Sequence, residues 1–481
     1  MKKLAGLVVV LAALILGSYY GMGIATERTL KKNIAMIDQS NGVFVEVEQY
    51  HRGFCRSTAL LNWRMQIPAR VMKNQEGVDV TMPAQEYKMQ VPLDIYHGPI
   101  MFVDSKPKFG LGYARSHVTL IQPYIDQFAK AYTATSIAPV LNLSIFVNYF
   151  NKSMLDLNIP TFKLVSKEGN NQVEWLGMTS DTMISSDRNQ VRGHVTIDGI
   201  NFQKEKVSIV LGKVMSDFDL HRTSLDLYLG DGNVLLPSLV IMQDDQKALE
   251  VQQLDVHSNS NIQDGLLSTH AKITLDKLLS DGKMYGPVLL DASINNLDAE
   301  VFAKINRQAN ELKQTDNQNA LFMLIMPELP KLLGKGAKLE ISELSVNMPE
   351  GIIKGNLQVS LPAERTDNPF QLIQKIKGDG KLVFSEAILK QLMNDSVKQS
   401  LQNKPVEMPS AAPAPDAAVV APVQAADDSE VIAKQVNDKL ANMVQSGLLS
   451  VQGSDYVIAV KVTDGKFEIN GKPFNSSMMG F

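Results

Sequence analysis

The stretch VFVEVEQYHRGFCRSTALLNWRMQIP, residues 43–68, holds two alternating runs around one turn. In the first run Val43, Val45 and Val47 fall on one face, and Phe44, Glu46 and Glu48 on the other. In the second, Ala59, Leu61, Trp63, Met65 and Ile67 share a face, while Asn62, Arg64 and Gln66 point away. Successive side chains leave a strand on opposite sides, so a period of two predicts half-buried strands. Arg52-Gly53 supplies the turn between them. Leu61, Trp63, Met65 and Ile67 make a wide apolar strip, a candidate groove face that needs a second layer or a ligand to cover it.

The alternation recurs in SHVTL (116–120), VEWLGM (173–178), HVTIDGI (194–200), VSIVLGKV (207–214) and LDLYL (225–229), each read as a strand. Gly230-Asp-Gly-Asn233 is read as a turn into VLLPSLVIM. Asp-Gly pairs at 281–282, 379–380 and 464–465, each followed by lysine, are further hairpin signals, because both turn residues must tolerate positive φ. Helices are fewer. Asp298 is the expected N-cap of a helix to Leu312, with Val301, Ile305, Ala309 and Leu312 inward. The apolar run 319–333 is interrupted by Pro327 and Pro330. Ser385 is expected to cap a third helix, with Ile388, Leu389, Leu392 and Val397 facing inward. Ser429 is expected to cap a fourth, closed by Gly447. The predicted class is mainly β with a few helices (α+β), built as long, curved antiparallel sheet that forms a groove where one apolar face coils. The alternative is two to four ordinary domains. A β-rich body spans 27–404, with helices near 298–333 and 385–402. An Ala/Pro-rich linker follows at 405–429, and residues 430–481 form a helix and hairpin docking on the body.

The chain has 481 residues, 44% hydrophobic, with a formal net charge of −4 and no basic run, which argues against a nucleic-acid partner. Its one cysteine, Cys55, excludes an internal disulfide framework and Cys-rich metal sites. Lys2 and Lys3 precede an uncharged, mainly apolar stretch, Leu4–Ala25. As a helix it is roughly 33 Å long, enough to cross a bilayer core. Tyr19 and Tyr20 sit near its far end, where aromatic belts lie. Residues 1–26 are therefore expected to be an uncleaved transmembrane anchor, with the N-terminus cytoplasmic and the body outside. A signal peptide cut at Gly23-Ile24-Ala25 is the other reading.

No phosphate loop, nucleophile elbow or His-Glu-x-x-His motif is present, and no cofactor is implied. Ser280-Asp-Gly-Lys283 matches Ser-x-x-Lys in spacing alone and reads as a turn. The seven histidines are scattered. Two of them sit in related patches, Tyr50-His51-Arg52-Gly53 and Tyr96-His97-Gly98-Pro99. Either two turns meet and present a pair of imidazoles, which lacks a third metal ligand, or each patch is a structural turn with the glycine supplying the conformation.

Those patches, the strand YARSHVTL and the ending DGKFEINGKPF resemble the YdgA-like family of bacterial proteins. The resemblance maps the first patch onto Tyr50, His51, Arg52, Gly53 and Ser57, and the second onto His97, Gly98 and Pro99. It implies an inner-membrane anchor and a periplasmic body, and no catalytic residues. A looser likeness, in architecture alone, is to AsmA-like proteins, which combine one N-terminal span with a long β-groove and are implicated in lipid movement. Three functions follow. The first is a non-enzymatic envelope protein whose groove takes a lipid or another amphiphile; its apolar faces and 22 methionines suit irregular apolar ligands. The second is a scaffold with a filled core and an envelope protein partner. The third is a hydrolase or metal enzyme with a site assembled from distant residues.

Overall fold

A computed structural model describes residues 2–35, 43–67, 70–73, 79–122, 124–169, 171–312, 318–364, 371, 374–402 and 428–474. Helix α1 (Lys2–Ala35) leads into β1 (Val43–His51) and β2 (Arg56–Ile67), the hairpin read from the sequence. Strands β3 (Arg70–Lys73) and β4 (Asp79–Met82) form a small separate ladder, followed by β5 (Gln85–His97). A second small hairpin, β6 (Ile100–Val103) and β7 (Lys106–Phe109), precedes β8 (Gly112–Val118) and the short helix α2 (Tyr124–Ala131). The middle of the chain holds β9 (Leu141–Val147), β10 (Ser153–Ile159), β11 (Phe162–Val165), β12 (Gln172–Trp175) and β13 (Met178–Ile184). It continues with β14 (Gln190–Ile197), β15 (Ile200–Lys204), β16 (Val207–Leu211), β17 (Val214–Arg222) and β18 (Tyr228–Gln243). Then come β19 (Gln246–Gln263), β20 (Leu266–Ser280), β21 (Lys283–Tyr285) and β22 (Val288–Asp298). Helices α3 (Ala299–Leu312), α4 (Gln318–Ile325) and α5 (Leu329–Leu333) precede β23 (Lys338–Met348), β24 (Gly351–Ser360) and β25 (Lys377–Ser385). Helices α6 (Glu386–Gln402) and α7 (Asp428–Ser446) come before β26 (Ser450–Gln452), β27 (Asp455–Thr463), β28 (Lys466–Ile469) and β29 (Lys472–Pro473).

Twenty-five of these strands belong to one hydrogen-bonded antiparallel sheet. Its main ladder runs β1–β2–β5–β8–β9–β10–β13–β14–β17–β18–β19–β20–β22–β23–β24–β25–β27. A second arm, β11–β12–β15–β16, joins the far half of β18. The two arms are made from the same passes of the chain. Each pass leaves the main ladder at a corner: Pro160-Thr161, Leu176-Gly177, Asp198-Gly199 and Gly212-Lys213. Gly177 and Gly199 take φ of 124° and 137°, which a side chain would resist. Leu176 donates to Gly199 O at 3.0 Å and Asp198 to Gly177 O at 2.8 Å, so pairing continues through the corner. The sequence runs VEWLGM, HVTIDGI and VSIVLGKV are thus each two strands with a bend, where the alternation had suggested one. The Gly230–Asn233 turn is also corrected. Those residues lie inside β18, with Asp231 opposite Asp219 and Asn259. Asp379-Gly380 likewise lies inside β25, whereas Asp281-Gly282 and Asp464-Gly465 are turns with positive φ at both residues.

Buried apolar side chains gather in three places. The first core lies between α1 and the sheet, where Leu30 and Ile34 cover Val45, Leu61, Val91, Leu93 and Ile95. The second sits under α3–α5 around Leu267, Leu297 and Leu332. The third holds α6 and α7 on the end of the sheet through Leu389, Val436 and Leu449. Asp298 accepts from the backbone N–H of Glu300 and Val301 and so caps α3. Ser385 receives the N–H of Ile388 at 3.4 Å. Leu392, expected inward, is exposed. The 405–427 part of the linker and the side chains of Leu312, Val397 and Ser429 fall outside what is described. Among the described residues no helix is long and apolar enough to cross a membrane; the described side chains of α1 begin at Ala13.

Candidate functional site

The two Tyr-His patches are alike in sequence and out of step in space. His51 lies opposite Thr58, on the face that Arg56 and Tyr96 also use. Ser57 lies opposite Ile95 on the other face, the core face, and His97 follows Ile95 by two residues. His51 is exposed and His97 is fully buried. The strand period therefore puts the imidazoles on opposite faces of the sheet, and they do not form a ligand pair. The residues that do converge are Tyr50 and His97, one from each patch, with Ser57 between them.

Ser57 Oγ lies 2.9 Å from His97 Nε2. The Tyr50 phenol lies beside the same serine without a hydrogen bond of normal geometry, and burial pushes its pKa up. Nδ1 of His97 also lacks a normal partner, although the backbone of Tyr19 is near enough to favour the protonated ring. A serine beside an imidazole is the geometry of an activated nucleophile. Among the described residues no carboxylate orients the ring, and neither group reaches solvent. What the pair meets is α1. A Cβ placed on Gly23 would stand 2.7 Å from His97 Cε1, and one on Gly98 would overlap the Tyr19 ring. Gly98 also has a φ of 124°. Around this seat Tyr19 stacks on Phe54, Arg52 lies over Tyr20 and pairs with Glu27, and Lys31 lies over Tyr50. Tyr19 Oη donates to Ile100 O at 2.6 Å. The patches thus build a cradle that holds the second half of α1 against the body; Pro99, next in line, accepts from Tyr149 Oη.

Burial holds the His97 pKa below its usual 6.5, because it disfavours the imidazolium. Below 6.5 the unfolded chain then binds more protons than the folded one. The neutral-His97 contribution is complete above that pH and declines as pH falls through it toward the folded pKa. His97→Gln should be less stable than wild type near pH 7.5, and the gap in Tm should narrow toward about pH 5. A gap independent of pH would mean that His97 does not titrate with folding.

The second candidate is the apolar face of the sheet. From Thr119 to Asp226 no described hydrophobic side chain is buried, although the strands there are rich in them. Cross-strand rows are apolar in short groups on the main ladder and over a longer run on the second arm. Leu143 and Leu157 face each other, as do Met178, Ile197 and Val214 in series. On the second arm Phe162, Trp175, Ile200, Leu211, Leu239, Val251, Leu278 and Tyr285 form one unbroken row. At the near end of this face α2 bridges a cavity of about 610 Å³ lined by Tyr87, Met89, Val118, Phe128, Leu141 and Ile159. That size suits a small-molecule ligand. Trp63 and Met65 are exposed, while Leu61 on the same strand is core. Ile67, at the strand end, is half-buried.

The opposite face is polar. A cavity of about 600 Å³ there is walled by Asp94, Arg115, His117, Asn142 and Asp156. Its groups largely satisfy one another: Arg115 with Asp104, His117 with Asn142, and Ser144 with Asp156. His194–Asp217 and His270–Asp291 are two-membered pairs across strands. Among the described residues no three metal-ligating side chains converge. Lys283 is engaged by Glu350, and Ser280 lies against Asp281, which removes the Ser-x-x-Lys arrangement from consideration as a reactive pair.

No curated protein and no solved structure matches the chain. A family described as "Bacterial protein of unknown function (DUF945)" matches residues 1–477, and the chain belongs to that family.

Proposed function

We propose that this protein is a non-enzymatic, membrane-anchored binder of a lipid or another amphiphile, which lies on the apolar face of the sheet. The observation that carries the reading is the long run of apolar rows between Val118 and Leu227 with no buried member. Water-facing sheet surfaces normally alternate to polar residues. A surface of this extent is a binding surface by default. The cavity under α2 lies where Val118, Leu141 and Ile159 begin that face. The anchor is α1. The stretch ahead of the docked Tyr19, Leu4–Ser18, is roughly 22 Å long as a helix, so Tyr19 and Tyr20 sit at the edge of a slightly thinned bilayer core. Lys2 and Lys3 ahead of the helix support a cytoplasmic N-terminus and a periplasmic body in this reading, as the YdgA-like resemblance also implies. Docking of Gly23 under His97 favours an uncleaved helix, since a cut after Ala25 would remove the residues that fill the cradle.

The test is mass spectrometry of amphiphile that co-purifies with detergent-extracted protein, compared with Phe128→Asp. This variant puts a carboxylate into the wall of the cavity on a helix that buries no residue. The expected outcome is a bound lipid in wild type and roughly tenfold less in the variant, with little change in Tm. Wild-type protein that carries no more lipid than an unrelated single-span protein would end the proposal.

A further inference from the structure

We infer that the end of the body from which α1 emerges is a seat on the bilayer surface, so that the body rests on the membrane rather than hanging from its anchor. Three hairpin tips meet there. Phe54, in the β1–β2 turn, stacks on Tyr19 of α1 with ring centroids 5.6 Å apart. Tyr19 Oη donates to Ile100 O, at the start of β6, at 2.6 Å. Tyr149 Oη, in the β9–β10 turn, donates to Pro99 O and ties the third tip to the second. These tips expose large apolar groups: Phe102 is 64% exposed, Phe109 58% and Phe150 84%.

The hairpin β6–β7 carries the argument. Met101 and Val103 are buried on one face, while Ile100, Phe102 and Phe109 are exposed on the other. A strand pair between core and water alternates apolar with polar. Here the lysines, Lys106 and Lys108, share the face of Met101 and Val103, and the outer face is apolar throughout (Ile100, Phe102, Pro107 and Phe109), so it is built for a medium other than water. Helix α1 identifies that medium. Leu14, Ile15 and Leu16 of α1 are exposed and apolar, a turn or so before Tyr19 and Tyr20, and the helix leaves the body through the ring of aromatics. Aromatic rings flanking an apolar helix are the mark of the headgroup level. Arg52, Lys106 and Lys152 lie on the same tips, in keeping with anionic headgroups. The occupant is therefore the bilayer that holds α1. This rests on the anchoring part of the reading above.

Cys55 lies beside Phe54, is exposed, and is the only cysteine, so the native chain can be labelled there directly. The full-length protein would be labelled with a small fluorophore in phosphatidylethanolamine–phosphatidylglycerol vesicles that carry nitroxide-tagged lipid. On a Cys55→Ser background the label would be moved by Leu14→Cys, Phe150→Cys or Met284→Cys; Met284 is exposed on β21, at the opposite ends of the strands. Labels at 14, 55 and 150 should each lose at least about half their emission, and the label at 284 almost none. Quenching at 14 with positions 55 and 150 as silent as 284 would overturn the seat while leaving the anchor in place. Silence at 14 as well would overturn both. Cys55 needs no substitution, so a poorly folded Phe150→Cys variant does not remove the test.

Discussion

Gly98→Val should destabilise the protein by roughly 3 kcal/mol, far more than a loop glycine normally would. Two costs combine. The residue has a φ of 124°, which a β-branched side chain resists, and its new Cβ would overlap the Tyr19 ring. Urea unfolding separates them when Gly98→Val is also made in a Tyr19→Ala background. In that background the overlap is gone and only the backbone strain remains, so the loss should fall by about half. An equal loss in both backgrounds would show that α1 does not occupy the cradle. Gly23→Leu is the matching change on the helix side, directed at His97.

The cradle was half legible in the sequence. The patches around Tyr50 and Tyr96 stand out, and the glycines in them read as conformational. Their face assignment did not follow from likeness, because the patches are offset by one residue: Tyr50 and His97 point into the core, His51 and Tyr96 away from it. Counting period two through Ser57, Ile95 and His97 would have found this, had the β2–β5 register been known. Register is a long-range property, and a one-residue slip exchanges the faces. The same limit explains the Asp-Gly signals. Asp281-Gly282 and Asp464-Gly465 are turns, while Asp231-Gly232 and Asp379-Gly380 are extended inside long strands whose neighbours on both sides complete the ladder. Tertiary pairing overrides a local preference worth only about 1 kcal/mol. Corner glycines such as Gly177 and Gly199 sit in alternating apolar sequence, so nothing local marks where a strand passes from one arm to the other.

Which side chains a charge can replace is the sharpest test of what covers the apolar face. Leu61 is 6% exposed beneath α1, so Leu61→Glu buries an unpaired carboxylate. It should cost about 4 kcal/mol or more and deplete the folded protein. Met65, two residues on from Trp63 along the same face, is 44% exposed, so Met65→Glu should change Tm little whatever the function is. The informative position is Ile197, half-buried between Met178 and Val214 in the uncovered part of the sheet. If that row is the floor of an amphiphile site, the empty protein already exposes it to water. A glutamate there keeps its hydration, and Ile197→Glu should cost no more than about 1–2 kcal/mol, within the ordinary range for a partly buried strand position. Its effect should fall on the ligand, because a carboxylate set against an alkyl chain is desolvated without a partner. The expected result is an intact far-ultraviolet spectrum, a Tm within a few degrees of wild type, and at least about a tenfold loss of co-purifying lipid. Should Ile197→Glu unfold the chain as Leu61→Glu does, the face would be covered by protein, and a scaffold with a filled core would replace the binding groove.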